Sequence, residues 1–225
     1  MSSPGEVDSE TAHVFVVDDD VSVRESLELL ILSAGWQPET FTSAEDFLAR
    51  PRIEGLSCLV LDVSLPNLNG LDLQTRIVDR THMPIIFITG HGDVPTSVQA
   101  MKAGAAEFLT KPIDNEVFEN AVRQAIERSR TALAHEAELR RLRDCHASLT
   151  PREREIMALV VSGLLNKQIA FELGISEITV KAHRGQVMRK MQVDSLADLV
   201  RVAAALDVPV TAHARYQRIA DTIVQ

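Results

Sequence analysis

Residues 13–22 read HVFVVDDDVS. Four apolar residues, Val14 to Val17, run directly into three carboxylates, Asp18, Asp19 and Asp20. A buried strand that ends in three adjacent negative charges needs something at that end to compensate them. Further short apolar runs follow at 36–41 (the weakest), 58–61, 85–88 and 105–109, separated by helix-like stretches at 21–34, 43–50, 70–80 and 94–103 and a long one from 115. Short apolar strands alternating with helices imply βαβ units and a parallel sheet covered on both faces. The expectation is an α/β, doubly wound, five-stranded parallel sheet of flavodoxin-like type.

The chain has 225 residues, enough for two modest domains. No apolar run approaches the roughly 20 residues needed to span a bilayer. The opening MSSPGEVDSE is acidic and polar, a pattern not expected of a signal or transit peptide. Cys58 and Cys145 form no CxxC pair, which fits a reducing cytoplasm and argues against a disulfide framework or a zinc site. The net charge of −9 hides an asymmetry: residues 1–130 carry 10 Lys/Arg against 21 Asp/Glu, and the remainder 13 against 11. An acidic first part and a slightly basic second part suggest different partners for each.

The fifth helix should outrun the sheet. From Asn115 to about Arg143 there is no Pro or Gly, and charges alternate in sign around a thin stripe of Leu133, Leu139 and Leu142. Such a helix is a solvated linker or half of a coiled coil with a second copy. Beyond it the pattern is all helical. Thr150, Pro151 and Glu153 form a start signal with a capping box, and Gly163 stops that helix. A short helix at 166–173, a turn at LGIS, a helix from Ser176 to Met191 and a last helix capped by Ser195 complete it. The segment 208–225 has only a weak helical pattern after Ala212.

In open parallel sheets, ligands bind beyond the carboxyl ends of the strands. Asp18–Asp20, Asp62, Thr89 and Lys111 fall at those ends. Two carboxylates about 5 Å apart repel by roughly 3 kcal/mol at an effective dielectric of about 20. Such a cluster holds a proton or recruits a divalent cation, and all-oxygen ligands suit Mg²⁺. A carboxylate there can then act as nucleophile toward a phosphoryl group, with Lys111 pairing the arriving charge and the Thr89 hydroxyl reaching a phosphate oxygen. A second reading stays open: strand-Asp-x-Asp also resembles the first motif of haloacid-dehalogenase-type phosphatases, with Asp18 as nucleophile and Asp20 as acid/base. That reading leaves LVLDVSLPNLNG unexplained.

The segments VVDDD, LVLDVSLPNLNG, IIFITGHGD and AAEFLTKP resemble, in order, the four signature segments of bacterial two-component receiver domains, across about 12–128. The resemblance implies that Asp62 accepts a phosphoryl group from a sensor histidine kinase. It implies Mg²⁺ bound by Asp19, Asp62 and the backbone carbonyl of Ser64, with Asp18 assisting indirectly. Asp20 would be peripheral, Lys111–Pro112 a cis bond, and Phe108 an aromatic that turns inward when Thr89 engages the phosphoryl group. Pro66 and Gly70 match the family's loop and helix start.

Helices 166–173 and 176–191 read as a helix-turn-helix. On a wheel, Val180, Val187 and Met191 share the core side, and Ile178, Ala182, Gly185 and Arg189 lie opposite. Exposed mid-helix Gly costs about 1 kcal/mol, which makes sense if that face must approach base edges closely. Thr179, Lys181, Arg189, Lys190, Asn166 and Lys167 are candidate phosphate contacts. His183 and Arg184 fall nearer the core side and are half structural. Without DNA, the same pattern would be a four-helix bundle with a charged face. The stretch 149–191 resembles the LuxR/NarL/FixJ type of DNA-binding domain, and ITGHGD places the chain nearest FixJ-like members. Gly185 departs from the larger residue many relatives carry.

Together these imply a receiver at 12–128, a helical linker at 129–147, a DNA-binding domain at 148–207 and a tail at 208–225. The expected protein is a cytoplasmic bacterial regulator that dimerises when phosphorylated, binds promoter DNA and meets RNA polymerase. It would accept and itself lose a phosphoryl group rather than turn over a substrate. A phosphorylation-independent DNA-binding regulator is the other member of this class.

Overall fold

Five parallel strands form where the apolar runs lie: β1 (His13–Val17), β2 (Gln37–Phe41), β3 (Ser57–Asp62), β4 (Ile85–Thr89) and β5 (Glu107–Thr110). Their order is β2-β1-β3-β4-β5. The structure is a computed structural model and describes residues 11–53, 55–90 and 94–209. His91, Gly92 and Asp93 of the ITGHGD match, and the tail from residue 210, lie outside the described residues.

The intervening helices are α1 (Val21–Ser33), α2 (Ala44–Ala49), α3 (Gly70–Arg76), α4 (Val94–Lys102) and α5 (Asn115–Ala147). Successive residues of β1 divide between two cores, as strand geometry demands. Val14 and Val16 pack with Leu27, Ile31, Phe118 and Val122, whereas Phe15 and Val17 pack with Phe47, Leu73 and Ala100. The sheet is thus covered on both faces and is doubly wound.

Two elements differ from the sequence expectation. α3 stops at Arg76 rather than residue 80: Ile77 leaves the helical conformation (φ −110), and the chain turns into β4 through tighter turns, Arg80 donating to the Ile77 carbonyl (2.8 Å) and Met83 to that of Arg80 (3.0 Å). β5 starts two residues late: its pairing with β4 begins at Glu107 opposite Ile86, and Ala105 is still tied to the end of α4, donating its amide to the Ala100 carbonyl (3.1 Å).

α5 is one unbroken helix of 33 residues, about 50 Å long at 1.5 Å per residue. Ser129 fastens it to the sheet: its buried hydroxyl accepts from the Ser57 amide (3.1 Å) and donates to the His82 carbonyl (2.5 Å). The chain divides into two compact units within this helix, between His135 and Glu136.

The second unit adds α6 (Pro151–Val161), α7 (Asn166–Leu173), α8 (Glu177–Lys190) and α9 (Leu196–Ala205). Each start has a physical cause. Thr150 and Glu153 close a reciprocal capping box, while Ser176 and Ser195 accept the amides of Thr179 and Asp198. Gly174 takes a left-handed conformation (φ 64) that ends α7 and turns the chain into α8. Val180, Val187 and Met191 enter a core with Ile156, Leu159, Ile169 and Leu199.

Candidate functional site: a carboxylate pocket and an exposed helix face

The β1–β3 register pairs Val17 with Leu61, so the next residues, Asp18 and Asp62, emerge side by side. Lys111, just after β5, reaches both: its ammonium lies 2.7 Å from Asp18 Oδ2 and 2.7 Å from Asp62 Oδ2. The remaining oxygens are also held. Asp18 Oδ1 accepts the Asp20 amide (2.9 Å) and Asp62 Oδ1 the Ser64 amide (2.9 Å). Asp18, Asp19 and Asp62 can bring one carboxylate oxygen each within 4.8 Å of one another, a metal-ligand spacing. Asp18 is fully buried and Asp62 nearly so, whereas Asp19 is exposed.

Three carboxylates meeting one ammonium leave the pocket negative. Burial raises the Asp18 carboxyl above the usual carboxylate range, against the pull of Lys111. Burial also works against the Lys111 charge, but its two carboxylate contacts outweigh that, and Lys111 holds its proton above the ordinary lysine value. These donors fit a hard divalent cation: they are oxygens, they converge, and they carry more charge than the lysine neutralises.

The surrounding geometry is built by neighbours. Gly70 at the start of α3 has no room for a side chain: a Cβ would sit 2.5 Å from the Asp62 carbonyl oxygen and 3.0 Å from Phe87. Its amide donates to the Val63 carbonyl (3.1 Å), fixing the loop after Asp62. The Lys111–Pro112 bond is cis. Thr89 is buried at the end of β4, and its carbonyl accepts the Lys111 amide (2.8 Å). Phe108 is half-buried, 6.4 Å from Phe87 between ring centres.

The expected pocket residues Asp18, Asp19, Asp62 and Lys111 thus come together, with Thr89 at the neighbouring strand end. Asp20 is the N-cap of α1 and accepts the Ser22 amide (2.8 Å). The phosphatase reading does not fit this arrangement. Its acid/base would be Asp20, and that carboxylate is engaged as the cap of α1, while its nucleophile Asp18 is fully buried. Arg24 was missed from sequence: its guanidinium donates to the Asp18 carbonyl (2.6 Å). Its signal was a cation in the first turn of a helix, where the macrodipole disfavours one unless an acceptor waits nearby.

In the second unit, Thr179, Lys181, Ala182, Gly185 and Arg189 are exposed on α8, and Lys167 is exposed on α7. Ile178 is 83% exposed, an unusual place for a large aliphatic side chain. His183 is half-buried. Two further candidates have internal partners instead. Asn166 accepts from Arg184 (3.1 Å), and Lys190 donates to the Glu153 carboxylate (2.7 Å). No sequence signal pointed to the second pair, because the capping box already explained Glu153.

Residues 14–123 match the family model for the response regulator receiver domain, and residues 147–203 match that for bacterial regulatory proteins of the luxR family. The chain belongs to the FixJ-like response regulators. Nodulation protein W of Bradyrhizobium diazoefficiens is 48% identical over 89% of this chain and 88% of its own length. The transcriptional regulatory protein FixJ of the same organism is 42% identical over 85% and 94%. Among solved structures, the response regulator StyR matches with a TM-score of 0.74 at 45% identity, covering 86% of this chain and 98% of its own. Full-length FixJ from B. japonicum matches at 0.53 and 39%, covering 89% and 100%.

This response regulator therefore carries a receiver domain and a luxR-type DNA-binding domain. The first implies a histidine kinase as partner, and the second implies DNA. Among the described residues, no helix is long and apolar enough to cross a membrane.

Proposed function

We propose that this regulator accepts a phosphoryl group on Asp62 from its histidine kinase and then binds promoter DNA as a dimer, near RNA polymerase, in the cytoplasm. The observation that carries the reading is the convergence of Asp18, Asp19, Asp62 and Lys111 at one end of the sheet. In the transfer, an Asp62 oxygen forms a bond to phosphorus as the bond from phosphorus to the kinase histidine breaks, the electron pair leaving with nitrogen. Asp19, Asp62 and the Ser64 carbonyl would hold Mg²⁺, with Asp18 acting indirectly. The bound ion supplies positive charge that draws the phosphoryl oxygens in and neutralises the carboxylates.

The protein's own groups do the rest. The Ser64 amide and Lys111 orient the Asp62 carboxylate before transfer. Lys111 then pairs with the new phosphoryl charge and the Thr89 hydroxyl moves toward it. Phe108, half-buried beside Phe87, follows Thr89 inward. Water later hydrolyses the acyl phosphate, resetting the site. The working division is a receiver at 12–128, a linker at 129–147 and a DNA-binding domain at 148–207. On that domain, Lys167, Thr179, Lys181, Ala182, His183, Gly185 and Arg189 face the DNA, with Asn166 at the start of α7.

Acetyl phosphate with Mg²⁺ tests this on the wild type and on Asp62→Asn. The wild type gains one phosphoryl group by intact mass, sediments as a dimer and binds its promoter more tightly; the variant does none of these. No gain in the wild type, or equal gain in both, sinks the reading.

A further inference from the structure

Of the four cations on α8, two have hydrogen-bond partners on neighbouring segments and two do not, among the described residues. Lys181 and Arg189 are exposed and make no ion pair among the described residues. Arg184 donates to Asn166 at the start of α7 (3.1 Å). Lys190, at the last turn of α8, donates to Glu153 Oε2 (2.7 Å) and to the Ser148 carbonyl (3.2 Å). The Glu153 side chain is only 7% exposed. The same Glu153 oxygen accepts the Thr150 amide (2.8 Å), while the Thr150 hydroxyl accepts the Glu153 amide (3.2 Å). One carboxylate therefore closes the cap of α6 and holds the end of α8. A further contact sits just beyond: Arg141 donates to the Gln192 side-chain oxygen (2.6 Å), with its other nitrogens on Glu138.

We propose that Lys190 is a positioning residue, which fixes the recognition helix through Glu153 and does not contact a DNA phosphate. The apolar seam of Val180, Val187 and Met191 holds α8 in place by burial. Burial is non-directional and permits small rotations and slides of the helix. Charge-assisted hydrogen bonds are short and directional, and they set the angle at which a helix presents its outer face. Reading base edges requires that face within about 0.5 Å of its productive position. Moving Lys190 to a phosphate would leave the nearly buried Glu153 carboxylate without a counter-charge, held by the Thr150 amide alone, which costs more than an exposed phosphate contact returns.

The inference rests on the DNA-binding role of this unit, and the test separates the two. The probe is a duplex selected by the full-length wild-type protein from a random library, with a scrambled duplex as control. Failure of the wild type to select any site overturns the DNA-binding role itself. Affinity is then measured across a salt series for Lys190→Met, Lys190→Arg, Glu153→Gln and Arg189→Met, each first checked for a cooperative melt.

Losing a phosphate contact lowers the slope of log K against log salt by about 0.9 and weakens both duplexes together. Arg189→Met is expected to behave this way. Lys190→Met is expected to lose about tenfold or more on the selected duplex, keep its slope and bind the scrambled duplex as before. Glu153→Gln should follow it and Lys190→Arg should restore binding. If Lys190→Met does not fold, Glu153→Gln decides: it retains an acceptor for the Thr150 amide while losing the charge that holds Lys190. The proposal is overturned if Lys190→Met loses about 0.9 of slope while Glu153→Gln binds as wild type, or if both bind as wild type.

Discussion

Two lysines in this regulator make the same contact and have opposite consequences. Lys111 and Lys190 each place an ammonium 2.7 Å from a largely buried carboxylate. Lys111 meets two carboxylates with a third, Asp19, within metal-ligand spacing, so the charge does not balance. Lys190 meets one, and a backbone amide supplies the other donor to the same oxygen. The titration directions report the difference. Asp18 is pushed up by burial that Lys111 does not fully offset, whereas Glu153 is pulled down to about 2, first by Lys190 and then by the Thr150 amide. An unbalanced cluster marks a place for a ligand; a balanced one is complete and holds structure.

Removing each lysine should separate the two cases. In metal-free buffer, Lys111→Met leaves three carboxylates facing one another, with an expected loss of about 2–4 kcal/mol in receiver stability, the upper part of the range being reduced by partial exposure. Millimolar Mg²⁺ should recover much of it, read by urea unfolding with and without the ion. Lys190→Met should also destabilise its unit, but Mg²⁺ should change nothing. Recovery in both variants, or in neither, would break the contrast.

The glycines repeat it. Gly70 lies against the Asp62 carbonyl and Phe87, where no Cβ fits. Gly70→Ala should therefore cost about 1–3 kcal/mol through a forced backbone shift. Because that shift falls on the loop behind Asp62, phosphorylation by acetyl phosphate should slow as well. Unchanged stability in denaturant would show that the loop yields freely and does not hold Asp62.

The balanced cluster also carries a pH signature. Glu153 has a folded-state value below its unfolded value of 4.5, so its contribution is fully present above pH 4.5. It is lost as pH falls from there toward about 2, as the carboxylate takes up a proton and releases Lys190. Thermal melts of the second unit at pH 7, 4 and 3 should show a steeper acid loss in wild type than in Glu153→Gln. Parallel losses would mean that the pair contributes little.

Much of this was legible in the sequence because it is local. The five apolar runs, the caps at Thr150 and Ser195, and the carboxylates at strand ends all follow from short patterns. The pocket could be read because parallel strands deliver their C-terminal residues to one edge whatever separates them in sequence. The end of α3 was set by the turn into β4, which no helical pattern shows. The partner of Lys190 lies 37 residues away on another helix. The sequence made Lys190 a candidate phosphate contact, but only helix packing decides whether a long flexible side chain turns outward to solvent or inward to an acid.

The smallest expected effect is the most specific. Gly185 lies mid-helix on the exposed face of α8, and a Cβ there would meet no atom of the protein within 4 Å. Nothing in the fold requires glycine, yet glycine costs the helix up to about 1 kcal/mol relative to alanine. Gly185→Ala should accordingly raise the melting temperature of the second unit slightly. If the backbone at Gly185 approaches a base edge, the added methyl should at the same time weaken the selected duplex severalfold while leaving the salt slope intact, since no charge is lost. A more stable variant with unchanged affinity would show that α8 reads DNA from its flanks, through Thr179 and Lys181, and that its bare centre stands clear of the bases.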